Sequence, residues 1–156
     1  MIKKIDIKDP TVAKEIVKVQ IPSYLVEAKL INFFDIPPLN DTIESLQQCG
    51  ESFYGYFIND GLCGAISVKV ENEVIDIHRL MVHPEHFRKG IAKKLVRFIE
   101  TLDENCTAMT VSTGSENTPA VNFYLNNGFI ITDIQTVADD LSLTSFYKIV
   151  GRPGIY

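Results

Sequence analysis

The chain has little from which to build a disulfide framework or a metal cluster. Its three cysteines, Cys49, Cys63 and Cys106, are odd in number and scattered, with no CxxC pair. That usage fits a reduced, cytoplasmic protein and gives no support to a metal site. No apolar run approaches the roughly 20 residues that a membrane-spanning helix needs. The opening MIKKIDIKD alternates apolar and charged residues, unlike a signal peptide. A charge-run tail and a low-complexity linker are also missing. At 156 residues and 46% hydrophobic content, the sequence therefore predicts one domain over 1–156 with a sizeable core. A formal charge of −5 argues against nucleic acid or an anionic membrane as the main partner.

Local charge departs from the global sign. Arg88, Lys89, Lys93, Lys94 and Arg97 lie within ten residues, although the whole chain has only 15 Lys and Arg. Lys94 and Arg97 read as the solvated face of a helix. Arg88 and Lys89 precede that helix, in the stretch HPEHFRKGIA (83–92), which follows the β-branched run VIDIHRLMV and opens IAKKLVRFIETLD. A strand, a basic turn with one glycine and a helix start together offer free N–H groups, two cations and the positive end of a helix dipole. Such a point binds polyphosphate anions. The second glycine and the Lys-Ser/Thr of a P-loop are missing, as is G-x-G-x-x-G, so neither a nucleoside triphosphate nor a dinucleotide is indicated.

Along the chain, Ile2, Ile5 and Ile7 suggest a first strand. Pro10 opens a helix that Pro22 is expected to end or break. A second helical stretch is predicted around 24–34, then a short helix with Asp41 as N-cap. The runs SFYGYFIND and LCGAISVKV, with a tight turn at Asp60-Gly61, read as a hairpin that continues into VIDIHRLMV. A helix over 91–103, a buried strand AMTVSTG, a helix TPAVNFYLNN capped by Gly128, and two last strands follow. The expected class is α/β (mixed α+β): a single mixed, mostly antiparallel sheet with helices on both faces.

Two motifs, in the right order and spacing, resemble the GCN5-related N-acetyltransferase (GNAT) superfamily. The first is LMV followed by HPEHFRKGIAKKL, similar to the family's Q/R-x-x-G-x-G/A loop through Gly90 and Ala92, with Phe87 at the Q/R position. The second is ENTPAVNFYLNNGF, similar to N-x-x-A-x-x-x-Y-x-x-x-G-F through Asn117, Ala120, Tyr124, Gly128 and Phe129. The resemblance implies acetyl-coenzyme A as co-substrate, with no metal, and two splayed parallel strands, 80–82 and 109–113, that admit the pantetheine arm. It implies a cofactor site made of Leu80, Met81 and Val82, of the loop Arg88, Lys89, Gly90, Ile91, Ala92 and Lys93, and of Asn117 and Tyr124. Asn117 is open between binding pantetheine and capping its helix.

Acetyl transfer to an amine needs a neutral nucleophile, a stabilised oxyanion and a protonated leaving thiolate. The resemblance makes the Val82 amide the oxyanion donor and Tyr124 the general acid, against the alternative of a core tyrosine. Asp76 and His78, two apart on a strand, share one face and are the candidate base. Leu80 and Val82 are expected on that face too. The pattern D-x-H-x-L-x-V looks like the serotonin N-acetyltransferase branch, with Asp in place of its first histidine. The alternative is a satisfied sheet histidine beside a surface acid. His83 and His86 read as structural or solvent-facing.

In this superfamily the first two helices, their loop and the last two strands build the acceptor site. Here that means Tyr24, Phe33, Phe34 and Ile36, with Asp35, Asp139 and Asp140 as cation partners. An N-acetyltransferase acting on a small-molecule or peptide amine is the leading expectation. A protein N-terminal or lysine acetyltransferase and a non-catalytic acyl-CoA sensor are the alternatives. Dimerisation is common in the family, and the edge of the C-terminal hairpin is where a homodimer would form.

Overall fold

The computed structural model describes residues 1–151; the last five residues of the expected domain lie outside the described residues. Seven strands form one sheet in the order β1-β2-β3-β4-β5-β7-β6. They are β1 (Ile2–Ile5), β2 (Ser52–Ile58), β3 (Gly61–Glu71), β4 (Val74–Val82), β5 (Ala108–Gly114), β6 (Ile130–Ala138) and β7 (Leu141–Ile149). Every neighbouring pair is antiparallel except β4 and β5. Helices α1 (Pro10–Ile31) and α2 (Ile43–Gln48) cover one face, while α3 (Ile91–Glu100) and α4 (Thr118–Asn126) cover the other. The expected class is the one observed.

The two faces have separate cores. In α3, Ile91, Leu95, Val96 and Ile99 form one buried stripe, packed on Ile66, Val68, Ile75 and Ile77 of the sheet. On the other face, Ala13, Ile16 and Val19 of α1 pack with Leu46, Phe53, Ala65 and Met81. Burying one such aliphatic side chain contributes about 1.5–3 kcal/mol.

Three local readings need correction. Pro22 does not end α1, which runs unbroken to Ile31. Proline removes one helical hydrogen bond, but anchors on both sides of it hold the helix to the sheet: Gln20 meets Arg79, and Ser23 and Tyr24 meet β4. The N-cap of α2 is Thr42, in a capping box with Ser45; Asp41 is held instead by Arg79, Gln20 and Ser45. The β2–β3 turn centres on Asn59 and Asp60, both with positive φ, and Gly61 already begins β3.

Two irregularities of β4 position the site. Its parallel pairing with β5 covers only Val74–Asp76 against Ala108–Thr110, and beyond that point the strands part. Its pairing with β3 jumps from Val68↔Ile77 to Ser67↔Arg79, so His78 is the extra residue of a β-bulge. The bulge reverses the side-chain alternation. Ile75 and Ile77 face the α3 side, Arg79 and Met81 face the α1 side, and Leu80 and Val82 return to the α3 side. The expectation that Asp76, His78, Leu80 and Val82 share one face is therefore incorrect.

Candidate active site

A cavity of about 1160 Å³ opens where β4 and β5 part. Helix α1 lies across the gap. Its Ser23 Oγ accepts from the Val82 N–H and its Tyr24 hydroxyl from the Leu80 N–H, each at 3.3 Å. Both bonds are longer than the usual 2.9–3.0 Å. On the β5 side, Glu27 Oε1 accepts from Thr113 Oγ1 at 3.1 Å and from Asn117 Nδ2 at 3.2 Å. Gln20, Ser23, Tyr24 and Glu27 thus form one polar stripe at helical spacing. That spacing was visible in the sequence, but it is hidden once a helix is ended at Pro22.

The other end of the cavity is the basic loop. His83 caps a 3-10 turn over Pro84–His86, Arg88 takes φ +66°, and Gly90 takes φ +74° as the N-cap of α3. Gly90 offers no side-chain acceptor, and the first helical bond runs from the Lys94 N–H to the Gly90 carbonyl. The N–H groups of Ile91, Ala92 and Lys93 are therefore available to an anion. A β-carbon on Gly90 would meet nothing within 4 Å, so the glycine answers a backbone demand rather than a steric one. Gly90→Ala is expected to cost about 1–2 kcal/mol of stability from the left-handed conformation alone, read by calorimetric unfolding. A change below a few tenths of a kcal/mol would show that the loop relaxes freely.

Of the residues singled out in the sequence, His78, Leu80, Val82, Arg88, Gly90, Ile91, Ala92, Lys93, Asn117 and Tyr124 line this cavity. Met81 does not: its side chain is buried in the α1-side core. Lys89 is exposed, with its Nζ 3.0 Å from His86 Nδ1. Asp76 also lies outside the lining. It accepts from Thr110 Oγ1 at 2.8 Å, and its other oxygen is 3.1 Å from His78 Nε2. The pair is thus brought together, with His78 Nδ1 also 3.8 Å from Glu51. Asn117 is the N-cap of α4, accepting from the Ala120 N–H, while its amide donates to Glu27. Phe87, at the departure from the family pattern, is exposed at the cavity rim. Tyr24, Phe33, Asp35 and Ile36 line the cavity, whereas Phe34, Asp139 and Asp140 do not.

Tyr124 is buried against Phe123, Phe129 and Phe146. Burial, and then the neighbouring Tyr24 and Glu27, push its phenol above the ordinary tyrosine value. Tyr24 is pushed up in the same way, by burial first and Glu27 next. Both hydroxyls are therefore protonated, and able to donate, across the neutral range.

Arg79 was not singled out in the sequence. Its guanidinium is held by Glu51, Asp41 and Gln20 at the bulge. An arginine next to His78, in a strand whose other flank is the apolar run Leu80–Val82, was the available signal. Among the described residues, no group of three or more His, Cys, Asp or Glu side chains converges as for a metal ion. No helix of the described residues is long and apolar enough to cross a membrane.

The chain is 38% identical over 147 residues to UPF0157 protein YqkA of Bacillus subtilis (strain 168), covering 94% of this chain and 43% of that protein. It is 31% identical over 84 residues to the streptothricin acetyltransferase of Escherichia coli, covering 52% of this chain and 48% of the relative. The chain thus spans less than half the length of these curated relatives. In fold it matches the PaiA N-acetyltransferase from Thermoplasma acidophilum, solved in complex with coenzyme A. The TM-score is 0.74 at 19% identity, over 93% of this chain and 96% of that one. The sequence model described as "Acetyltransferase (GNAT) family" covers residues 16–129, which run from α1 to the glycine-capped end of α4 and include both motifs and the parted strands. The chain belongs to the acetyltransferase (GNAT) family.

Proposed function

We propose that the chain is a single acetyltransferase domain, 1–156, that transfers the acetyl group of acetyl-coenzyme A to the primary amine of a small molecule or peptide. One observation carries the reading: the break in β4–β5 pairing after Asp76 and Thr110. It opens a cavity that has strand amides at its centre and the uncapped start of α3 at one end. The residues present fit the co-substrate. Arg88, Lys93 and the first-turn amides of α3 suit a pyrophosphate, and the Leu80 and Val82 amides, held only by long bonds to hydroxyls, suit an extended amide-bearing arm.

Bound acetyl-coenzyme A supplies an acetyl group activated as a thioester. In the proposed reaction Val82 N–H turns from Ser23 to the carbonyl oxygen and stabilises the negative charge that develops there. His78 takes the proton of the attacking amine at Nδ1, its ring set by Nε2–H donating to Asp76. As the carbon–nitrogen bond forms and the carbon–sulfur bond breaks, Tyr124 gives its proton to the departing sulfur. Cysteines without disulfides are consistent with a proposed cytoplasmic location. A homodimer is proposed along β6, the edge strand, whose nine residues are all exposed.

Free-thiol release from acetyl-coenzyme A, measured across a panel of small amines and peptides, tests this reading. Release that requires one amine class is expected. Tight coenzyme A binding without turnover would favour the acyl-CoA sensor, and no binding by calorimetry would overturn the mechanism.

A further inference from the structure

We propose that Glu27 binds the ammonium group of the acceptor, and that the acceptor is a primary amine carried on an apolar stem. The inference rests on the acetyl-transfer reading for its context and adds the residue and substrate class that reading leaves open. Charge around the cavity is divided by element. The loop and the start of α3 contribute Arg88 and Lys93, while α1 and the segment after it contribute Glu27 and Asp35. Arg79 adds no free cation, because Asp41 and Glu51 hold it. The two ends therefore suit opposite charges: a polyphosphate at the loop and a cation beneath α1.

Glu27 is also a held group. Thr113 and Asn117, both buried, donate to the same oxygen, Oε1, which fixes the carboxylate and leaves Oε2 without a protein donor among the described residues. It lies on α1 one turn after Ser23 and Tyr24, which meet the two β4 amides, and it faces Thr113 and Asn117 across the gap. A nitrogen bound there lies on the β5 side of the gap, next to Thr113 and Asn117. Besides Ser112 of β5, the cavity lining from the end of α1, the residues after it and β7 is mostly apolar: Leu30, Ile31, Phe33, Leu141 and Leu143. They favour a hydrocarbon stem over a second charged or heavily hydroxylated body. The electrostatic influence of Glu27 on both Tyr24 and Tyr124 agrees with a carboxylate aimed into shared space.

The test reads binding rather than turnover. Protein saturated with coenzyme A is titrated calorimetrically with phenethylamine, a cation at neutral pH, and with 2-phenylethanol, its neutral counterpart. The amine is expected to bind at least about tenfold more tightly to the unaltered protein, and Glu27→Gln is expected to abolish that preference. Glutamine can still accept from Thr113 and Asn117, so coenzyme A affinity should stay within about twofold, which serves as the folding control. Equal binding of the two probes, or a preference that survives Glu27→Gln, would overturn the proposal. A failure of acetyl transfer appears separately, as absent thiol release or absent coenzyme A binding.

Discussion

Replacing Tyr124 by phenylalanine is expected to lower kcat by roughly 10²- to 10⁴-fold, the range that a positioned proton donor contributes. The ring packs on Phe123, Phe129 and Phe146, and phenylalanine keeps those contacts, so the fold should be unchanged. What is lost is one hydroxyl in the cavity, held neutral by its burial and by the nearby Tyr24 and Glu27. A neutral phenol can hydrogen-bond to sulfur as charge builds on it, which a benzene ring cannot do. Coenzyme A affinity, measured by calorimetry, should stay within about twofold, because most of its proposed contacts are to the loop and to β4 and phenylalanine keeps the ring. A kcat within threefold of the unaltered protein would remove Tyr124 from the chemistry and return it to the core.

The contrast between Tyr124 and Glu27 shows what local pattern can carry. The place of Tyr124 in the cavity was legible because its motif is short in sequence: an N-cap asparagine, a helix turn and a left-handed glycine fix it relative to the sheet. The loop before α3 was legible for the same reason, since a strand, a turn and a helix start are neighbours in the chain. Glu27 depends on α1 passing through Pro22, and no residue near Pro22 announces that. The anchors are Arg79 and the β4 amides, more than 50 residues away. The shared face assigned to Asp76, His78, Leu80 and Val82 failed for a related reason. Alternation is a property of a regular strand, and the bulge at His78 is set by pairing with β3. The Asn59-Asp60 turn differs by a single residue: Asn and Asp both tolerate positive φ, so the glycine was free to enter the strand.

Arg79 ties these nonlocal features together, and Arg79→Met is expected to destabilise the protein by about 3–5 kcal/mol at neutral pH. Its Nε donates to Glu51 at 2.9 Å, and Nη1 reaches Gln20 at 3.2 Å and also Asp41. The side chains of Arg79, Glu51 and Asp41 are only 11%, 6% and 15% exposed, so methionine would strand two carboxylates in a dry site. The pH dependence separates this account from simple loss of packing. For both acids burial alone would raise the carboxyl, but hydrogen bonds and the Arg79 charge prevail and hold it below the ordinary value. A lowered carboxyl stabilises the fold above the unfolded value of about 4, and that contribution is lost as pH falls through the folded value. Without the Arg79 charge and hydrogen bonds both carboxyls rise, and the folded variant takes up protons at higher pH than the folded unaltered protein. The gap between unaltered and variant protein should therefore be widest near pH 7 and shrink as pH falls toward about 4. Chemical unfolding across that range measures it. A gap that stays constant with pH would mean that the arginine stem, and not its charge, holds α1 over the parted strands.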